Sequence, residues 1–278
     1  MKKICWANSK TIATSDVIIV GIPDESSSHS SRKGTSEAPD QIRKVSMKQD
    51  TYQRNKMKSI GYPASGISKK IFDYGNITKN EVCKVYNKFP HTSVPVTVGG
   101  DHSITRDVIE SLYEKRGKLS LVYFDAHPDI ISSTTNYHGS VFYDVLEYIN
   151  PKSSLQIGIR TPEREEIDNL KKFNIMTITP LDILQDGILT ITKKILKKIN
   201  DNAYISFDMD CIDPAYAPGV SVPVPFGLSN NDALYLIKSI VESGIIGMDI
   251  VEVCPKYDIR DRTSHLTSRL IGETISSL

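Results

Sequence analysis

Three short segments each close a hydrophobic run of strand length with acids and imidazoles: His102 in GGDHS, Asp125, His127 and Asp129 in DAHPD, and Asp208 and Asp210 in SFDMDCIDP. A chain built this way has few folds open to it. If the runs are parallel strands of one sheet, all six groups arrive at its carboxyl edge, where open α/β folds assemble their sites. Two imidazoles and four carboxylates are too acidic a set for structural zinc, which favours Cys and His. The set suits two divalent ions of the manganese type, bridged by carboxylates and able to activate water.

The rest of the chain agrees with a parallel sheet. Strand-like runs are expected over Val17–Gly21, Val94–Val98, Leu119–Asp125, Leu155–Ile159, Ile175–Thr177, Ala203–Asp208 and Ile245–Val253. Helical patterns cover Lys79–Lys88, Ser103–Arg116, Pro162–Lys172, Asp186–Asn200, Asn230–Ser243 and Arg260–Ser277. Their alternation indicates βαβ units with right-handed crossovers. The expected class is α/β: three α/β/α layers around a mostly parallel, doubly wound sheet, in one domain over residues 1–278. Two polar loops, Ser26–Thr35 and Ile130–Asn136, follow strand ends and are placed to shape access to a site.

Composition excludes more than it selects. A net charge of +1 gives no electrostatic reason for a nucleic-acid or membrane partner. Lys193, Lys194, Lys197 and Lys198 interleave with Ile191, Ile195 and Ile199, as on the solvated face of an amphipathic helix. Asn8, Ser9 and Lys10 interrupt the N-terminus too early for a signal peptide, and no apolar run is long enough to span a bilayer. Cys5, Cys83, Cys211 and Cys254 form no C-x-x-C pair, which fits a reduced, cytoplasmic setting. Cys211 directly follows Asp210, and on a strand it would point away from that carboxylate as a buried structural thiol.

Locally, Gly99 and Gly100 permit a tight turn before His102, and Ser103 is a candidate cap for the helix that follows. Period two puts Asp125 and His127 on one side of an extended backbone, and Pro128 stops the strand so that Asp129 can curl back. Asp208 and Asp210 repeat the i, i+2 device. Taken singly, each segment reads equally well as acids capping neighbouring helices. All six together do not, because unpaired buried carboxylates cost several kcal/mol each, and a cation relieves that cost. His29, His91 and His265 match no motif and read as surface or structural groups, and Arg260 and Arg262 as helix-flanking ones.

GGDHS, DAHPD and SFDMDCIDPAYAPG, in that order and spacing, resemble the three metal signatures of the ureohydrolase family of arginases and agmatinases. Arg32–Pro39 with Ile42-Arg43, His138-Gly139 and Asp249-Ile-Val-Glu252 extend the resemblance over nearly the whole chain. It implies an arginase-like α/β/α fold, two Mn2+ ions, a small guanidino substrate and a homo-oligomer, trimer or hexamer. Carried over by position, His102 and Asp129 would bind one ion and His127 and Asp210 the other, with Asp125 and Asp208 bridging. Water activated by the ions would attack the guanidinium carbon. Asp129 would orient it and pass its proton to the leaving amine, Glu252 would clamp the guanidinium, and His138 would shuttle protons at the mouth.

Within the family, arginases carry Asn two residues beyond the last Asp of DAHxD, where this chain has Ile131. Losing a partner for a charged group costs about 1.5–3 kcal/mol and disfavours arginine. Asp213–Gly219 and His138–Phe142 look more like agmatinases, which points to agmatine cleaved to putrescine and urea. Val224 and Phe226 depart from the agmatinase pattern in the outer wall. Arginine, 4-guanidinobutyrate or a formimino substrate remain alternatives within this chemistry, and a metal amide hydrolase outside it.

Overall fold

A computed structural model describes residues 2–48, 52–54, 57–59 and 63–278. Eight strands form one sheet: β1 (Val17–Ile22), β4 (Ile71–Asn76), β5 (Val94–Gly99), β6 (Ser120–Phe124), β7 (Leu155–Ile157), β8 (Met176–Ile178), β9 (Ala203–Asp208) and β10 (Gly247–Val251). Their spatial order is β4-β1-β5-β10-β9-β6-β7-β8, and every pairing within it is parallel. The sheet is therefore wholly rather than mostly parallel among the described residues. A small antiparallel hairpin, β2 (Tyr52–Arg54) with β3 (Met57–Ser59), lies outside it.

Helices cover both faces, as crossovers between parallel strands require. On one face α1 (Ala38–Ser46), α7 (Ile188–Lys198), α8 (Asn230–Glu242) and α9 (Arg262–Ser277) bury Ile42, Ile195, Leu236 and Ile271 against Ile19, Val98, Val122 and Ile205. On the other, α2 (Val82–Tyr86), α3 (Ile104–Arg116) and the short α4 (Val141–Asp144) bury Val85, Val108 and Phe142 against Ile18, Val20 and Leu121. The two core layers take alternate residues of the same strands. Both strand faces are thus apolar, which is why these strands read as continuous hydrophobic runs.

Several boundaries moved for identifiable reasons. The helix expected over Asp186–Asn200 is α7 and begins at Ile188, because Gly187, with φ 79°, separates it from the unexpected α6 (Pro180–Asp186). The last helix begins at Arg262 rather than Arg260, since Arg260 and Asp261 have left-handed backbone (φ 54° and 60°). A tight turn over 79–81 precedes α2, shortening the helix expected from Lys79. α5 (Arg164–Lys172) starts two residues after the expected Pro162. The lysines of α7 face solvent while Ile191 and Ile195 are buried, as the interleaved pattern indicates.

Strand β4 escaped sequence reading because IFDYGN carries two polar residues and a glycine. It is an edge strand, and its Asp73 is nonetheless buried. Arg43 of α1 grips that carboxylate at 3.0 Å through both Nε and Nη2, and the amide of Ile4 donates to it at 2.7 Å. Both charges lie in the interior, so removing one leaves the other unpaired there. Arg43→Ala is expected to lower unfolding free energy by about 3–5 kcal/mol in urea melts, pulling the N-terminal segment and α1 away from the sheet edge.

Candidate metal centre

Register carries the six residues together. Phe124 of β6 stands beside Phe207 of β9, Asp208 beside Val251 of β10, and Ile250 beside Val98 of β5. The next residue on each strand therefore emerges from one edge, at the ends of four adjacent central strands. Asp125 follows β6, Asp208 ends β9, Glu252 follows β10, and Gly99 ends β5 three residues before His102. Gly100 has to be glycine, because a Cβ there would lie 1.9 Å from the Asp24 carbonyl oxygen. That carbonyl accepts the amide of Asp101 at 2.8 Å.

The side chains form two overlapping triads, His102–Asp125–Asp129 and Asp125–His127–Asp210. Asp125 belongs to both, and its two oxygens face different imidazoles. Oδ2 lies 3.0 Å from His102 Nδ1 and Oδ1 lies 3.3 Å from His127 Nδ1. Asp210 Oδ2 is 3.1 Å from His127 Nδ1, while Asp129 Oδ2 and Asp208 Oδ2 are 3.5 and 3.3 Å from His102 Nδ1. Asp129 curls back through a left-handed backbone, φ 47°. The i, i+2 pair Asp208 and Asp210 is set by a tight turn over Met209–Cys211, in which Asp208 Oδ1 accepts the amide of Asp210 at 2.7 Å. Cys211 is buried and outside both triads, as expected, but by this turn rather than by strand alternation. All four cysteines are unpaired.

The electrostatics fit cations. Burial pushes Asp129 and Asp208 well above the usual carboxylate range, and neighbouring carboxylates push them further. Burial opposes protonation of His102 and His127. For His102, hydrogen bonds to Asp125 and Asp208 outweigh it and hold the ring well above the ordinary imidazole value. For His127 the Asp210 charge, with hydrogen bonds to Asp125 and Asp210, raises it to about 12. The cluster thus favours positive charge among its carboxylates. Asp125 Oδ2, though buried, faces no partner among the described residues other than the His102 ring nitrogen. An orphaned carboxylate oxygen facing an imidazole nitrogen is what a shared metal ligand looks like before the metal binds, so the donor set fits two divalent ions.

Residues behind the cluster orient it. His102 Nε2 lies 2.8 Å from Ser206 Oγ, whose hydroxyl donates at 2.8 Å to Asp249 Oδ1, and Thr105 and Tyr204 donate to the other Asp249 oxygen. Such partners fix the tautomer and aim of a metal-binding histidine. Ser103 does not cap α3; its backbone is helical, and Asp101 accepts its amide at 2.9 Å instead. Arg160, which sequence reading passed over, donates to the carbonyls of Gly158, Asp210, Cys211, Val224 and Pro225. It ties the Asp210 turn to the stretch after Ser221. Tyr123 and Ser206 were also missed, although period two placed them on the strand face of Asp125 and Asp208.

A cavity of about 350 Å³ opens onto the cluster, lined by His127, Asp129, Asp208, Asp210 and Glu252, by Ile131, Tyr137 and His138, and by Glu163 and Glu166. Glu252 has left-handed backbone (φ 64°) and is held by the His102 amide at 2.8 Å and by the Ser221 hydroxyl. His138 Nδ1 lies 3.5 Å from Glu252 Oε1. The exposed ring of His29 stacks on Tyr137 at 4.7 Å and meets His138 edge-on at 6.1 Å. This surface histidine therefore stands beside two of the cavity's lining residues. The Ile130–Asn136 loop is pinned by Glu165, which accepts from the amides and hydroxyls of Ser132 and Ser133; these bonds hold its carboxyl down at about 2.

The sequence pattern of the arginase family matches residues 15–276. The chain belongs to the arginase family. It is 37% identical over 185 residues to an agmatinase of Neisseria meningitidis, an alignment that covers 65% of this chain and 57% of that protein. Among solved structures it resembles the agmatine ureohydrolase of Thermoplasma volcanium, with 30% identity, TM-score 0.82 and coverage of 100% and 94% of the two chains. It also resembles the formimidoylglutamase of Bacillus subtilis, with 26% identity, TM-score 0.84 and coverage of 95% and 87%. The arginase-like α/β/α fold expected from the motifs is the fold of this arginase-family member.

Because neighbouring carboxylates raise the proton affinity of both imidazoles, a divalent ion has to compete with protons to bind. Apparent affinity should therefore rise with pH and fall as the rings become harder to deprotonate. Manganese titrations in buffers of different ionisation enthalpy should show release of roughly one proton per imidazole. Binding without proton release would mean that His102 and His127 are not ligands.

Proposed function

We propose that this chain is a binuclear-manganese hydrolase that cleaves agmatine to putrescine and urea. The observation that carries the substrate is the charge of the cavity. Its walls hold Asp129, Asp208, Asp210, Glu163, Glu166 and Glu252, and no lysine or arginine among the described residues. Agmatine is a dication with a guanidinium at one end and an ammonium at the other, and it suits a cleft acidic along its length. Arginine, 4-guanidinobutyrate and formiminoglutamate each carry a tail carboxylate that would meet Glu163 with no cation to receive it. Ile131, nearly buried in the same wall, offers no side-chain donor either. The agmatinase and agmatine ureohydrolase names of the relatives point the same way.

In this reading His102 and Asp129 would hold one ion and His127 and Asp210 the other, with Asp125, whose oxygens face both imidazoles, and Asp208 completing the donor set. When bound, the ions supply Lewis-acid activation of water. Glu252 is the carboxylate that faces the guanidinium, for which a two-oxygen acceptor matches the planar fork. Asp129 reaches both the cluster and the cavity, so its carboxylate can take a proton at the floor and return it to the leaving amine. His138, partly exposed and beside Glu252, carries protons between that floor and solvent. Glu163, exposed at the start of α5 and free of any ion pair within 4 Å among the described residues, receives the ammonium tail.

Manganese-loaded protein assayed with agmatine, arginine and 4-guanidinobutyrate in parallel should release urea chiefly from agmatine. Preference for 4-guanidinobutyrate would overturn the charge argument. Glu163→Gln should raise KM for agmatine about tenfold or more at nearly constant kcat, the loss of one charge-assisted contact. Asp125→Asn should abolish urea release, whereas His91→Ala, on an exposed residue away from the cavity, should retain it.

A further inference from the structure

We propose that Tyr123 is a positioning residue of this centre: its phenol binds one oxygen of Asp129 and thereby assigns the two carboxylate oxygens different tasks. The inference rests on the reading that the six-residue cluster holds two divalent ions. Tyr123 lies on β6 two residues before Asp125, so its side chain leaves the same strand face. It is fully buried. Its ring lies parallel to that of His102, 4.6 Å apart and 3° from coplanar, and Phe142 meets it edge-on at 5.4 Å and 89°. Clamped between those two rings, the phenol has little freedom to turn away.

The hydroxyl donates to Asp129 Oδ2 at 2.7 Å and lies 3.0 Å from His102 Nδ1. A phenol has one proton to give. With it on Asp129, only lone pairs of the phenol oxygen face His102 Nδ1. Once Nδ1 has given up its own hydrogen and the ring keeps the one on Nε2, toward Ser206, that nitrogen is an acceptor too. Nδ1 is thus ringed by Asp125, Asp208, Asp129 and Tyr123 oxygens, all pointing electron pairs at one place, where a cation belongs. Asp129 Oδ2 is the oxygen near His102, and Tyr123 fixes it there. Oδ1 is left for the proton that the reaction moves. Without the phenol, Asp129 can rotate and exchange its oxygens, since among the described residues the other hydrogen-bond donors to it, the Phe142 and Tyr143 amides at 2.8 and 3.4 Å, hold its backbone carbonyl. Tyr123 does not line the cavity, so it has no direct claim on the substrate.

Tyr123→Phe deletes one oxygen and keeps the ring stack. Chelator-treated wild type and variant would be titrated with MnCl2 by calorimetry and by electron paramagnetic resonance, with thermal melts of the metal-free forms alongside. The wild type should bind two ions per chain. The variant should keep its melting transition, bind one of the two about 10–100-fold more weakly and show an altered spin-coupled spectrum. With agmatine, kcat should fall about tenfold or more while KM stays within about twofold. In an Asp129→Asn background, the same change should add little further loss of manganese affinity, because both act through one contact. Unchanged isotherm, spectrum and kcat, or losses that add fully to those of Asp129→Asn, would overturn the proposal. A wild type that binds fewer than two ions removes the pair and the proposal with it. A wild type that binds two ions yet hydrolyses no guanidine sinks the substrate assignment alone, and the manganese isotherm still decides the role of Tyr123.

Discussion

Four carboxylates that repel one another are held within a few ångströms by the register of four parallel strands. Asp125, Asp129, Asp208 and Asp210 are all buried, and only two imidazoles stand among them. Nothing in their own interaction favours this arrangement. It is imposed from below, where both faces of β6 and β9 are packed in hydrocarbon and only their carboxyl ends carry acids. The hydrophobic layers thus do the work of concentrating charge, and the crowding raises the proton affinity of His102, His127, Asp129 and Asp208. Divalent ions would meet the same crowding with stronger charge.

What could be read in the amino-acid order follows from that division of labour. The central strands were legible because they are buried on both faces and so are written as unbroken apolar runs, and the ligand candidates stood out as the first polar residues after them. Strand β4 was not legible, since an edge strand may carry Asp73, Gly75 and Asn76 without interrupting the core. α1 went unrecognised as a helix because one side of it is occupied by Arg43, whose partner Asp73 is 30 residues away. The break at Gly187 and the late start of α9 depend on left-handed backbone at single residues, which a periodicity of apolar positions does not register.

Around the centre, the residues found only in the structure are those whose role is to hold another residue. Ser206 and Tyr123 lie on the same strand faces as the ligand candidates, so alternation alone could have nominated them. Asp101, beside His102, ties the Ser26–Thr35 loop to the turn through the Ser27 amide at 3.1 Å and takes over the cap expected of Ser103. Glu165 and Arg160 act across long sequence separations, through backbone or hydroxyl partners that have no signature of their own.

Arg160 carries a further implication. It presents to the protein the same chemical group that the proposed substrate presents to the cavity, a planar guanidinium, and it does so one residue's backbone away from the Asp210 side chain. Every one of its five N–H hydrogens has a carbonyl to meet, so none is left over for a carboxylate fork such as Glu252. That guanidinium is recognised by neutral peptide oxygens, which hold it flat against the main chain and leave the cavity's carboxylates free of any guanidinium among the described residues.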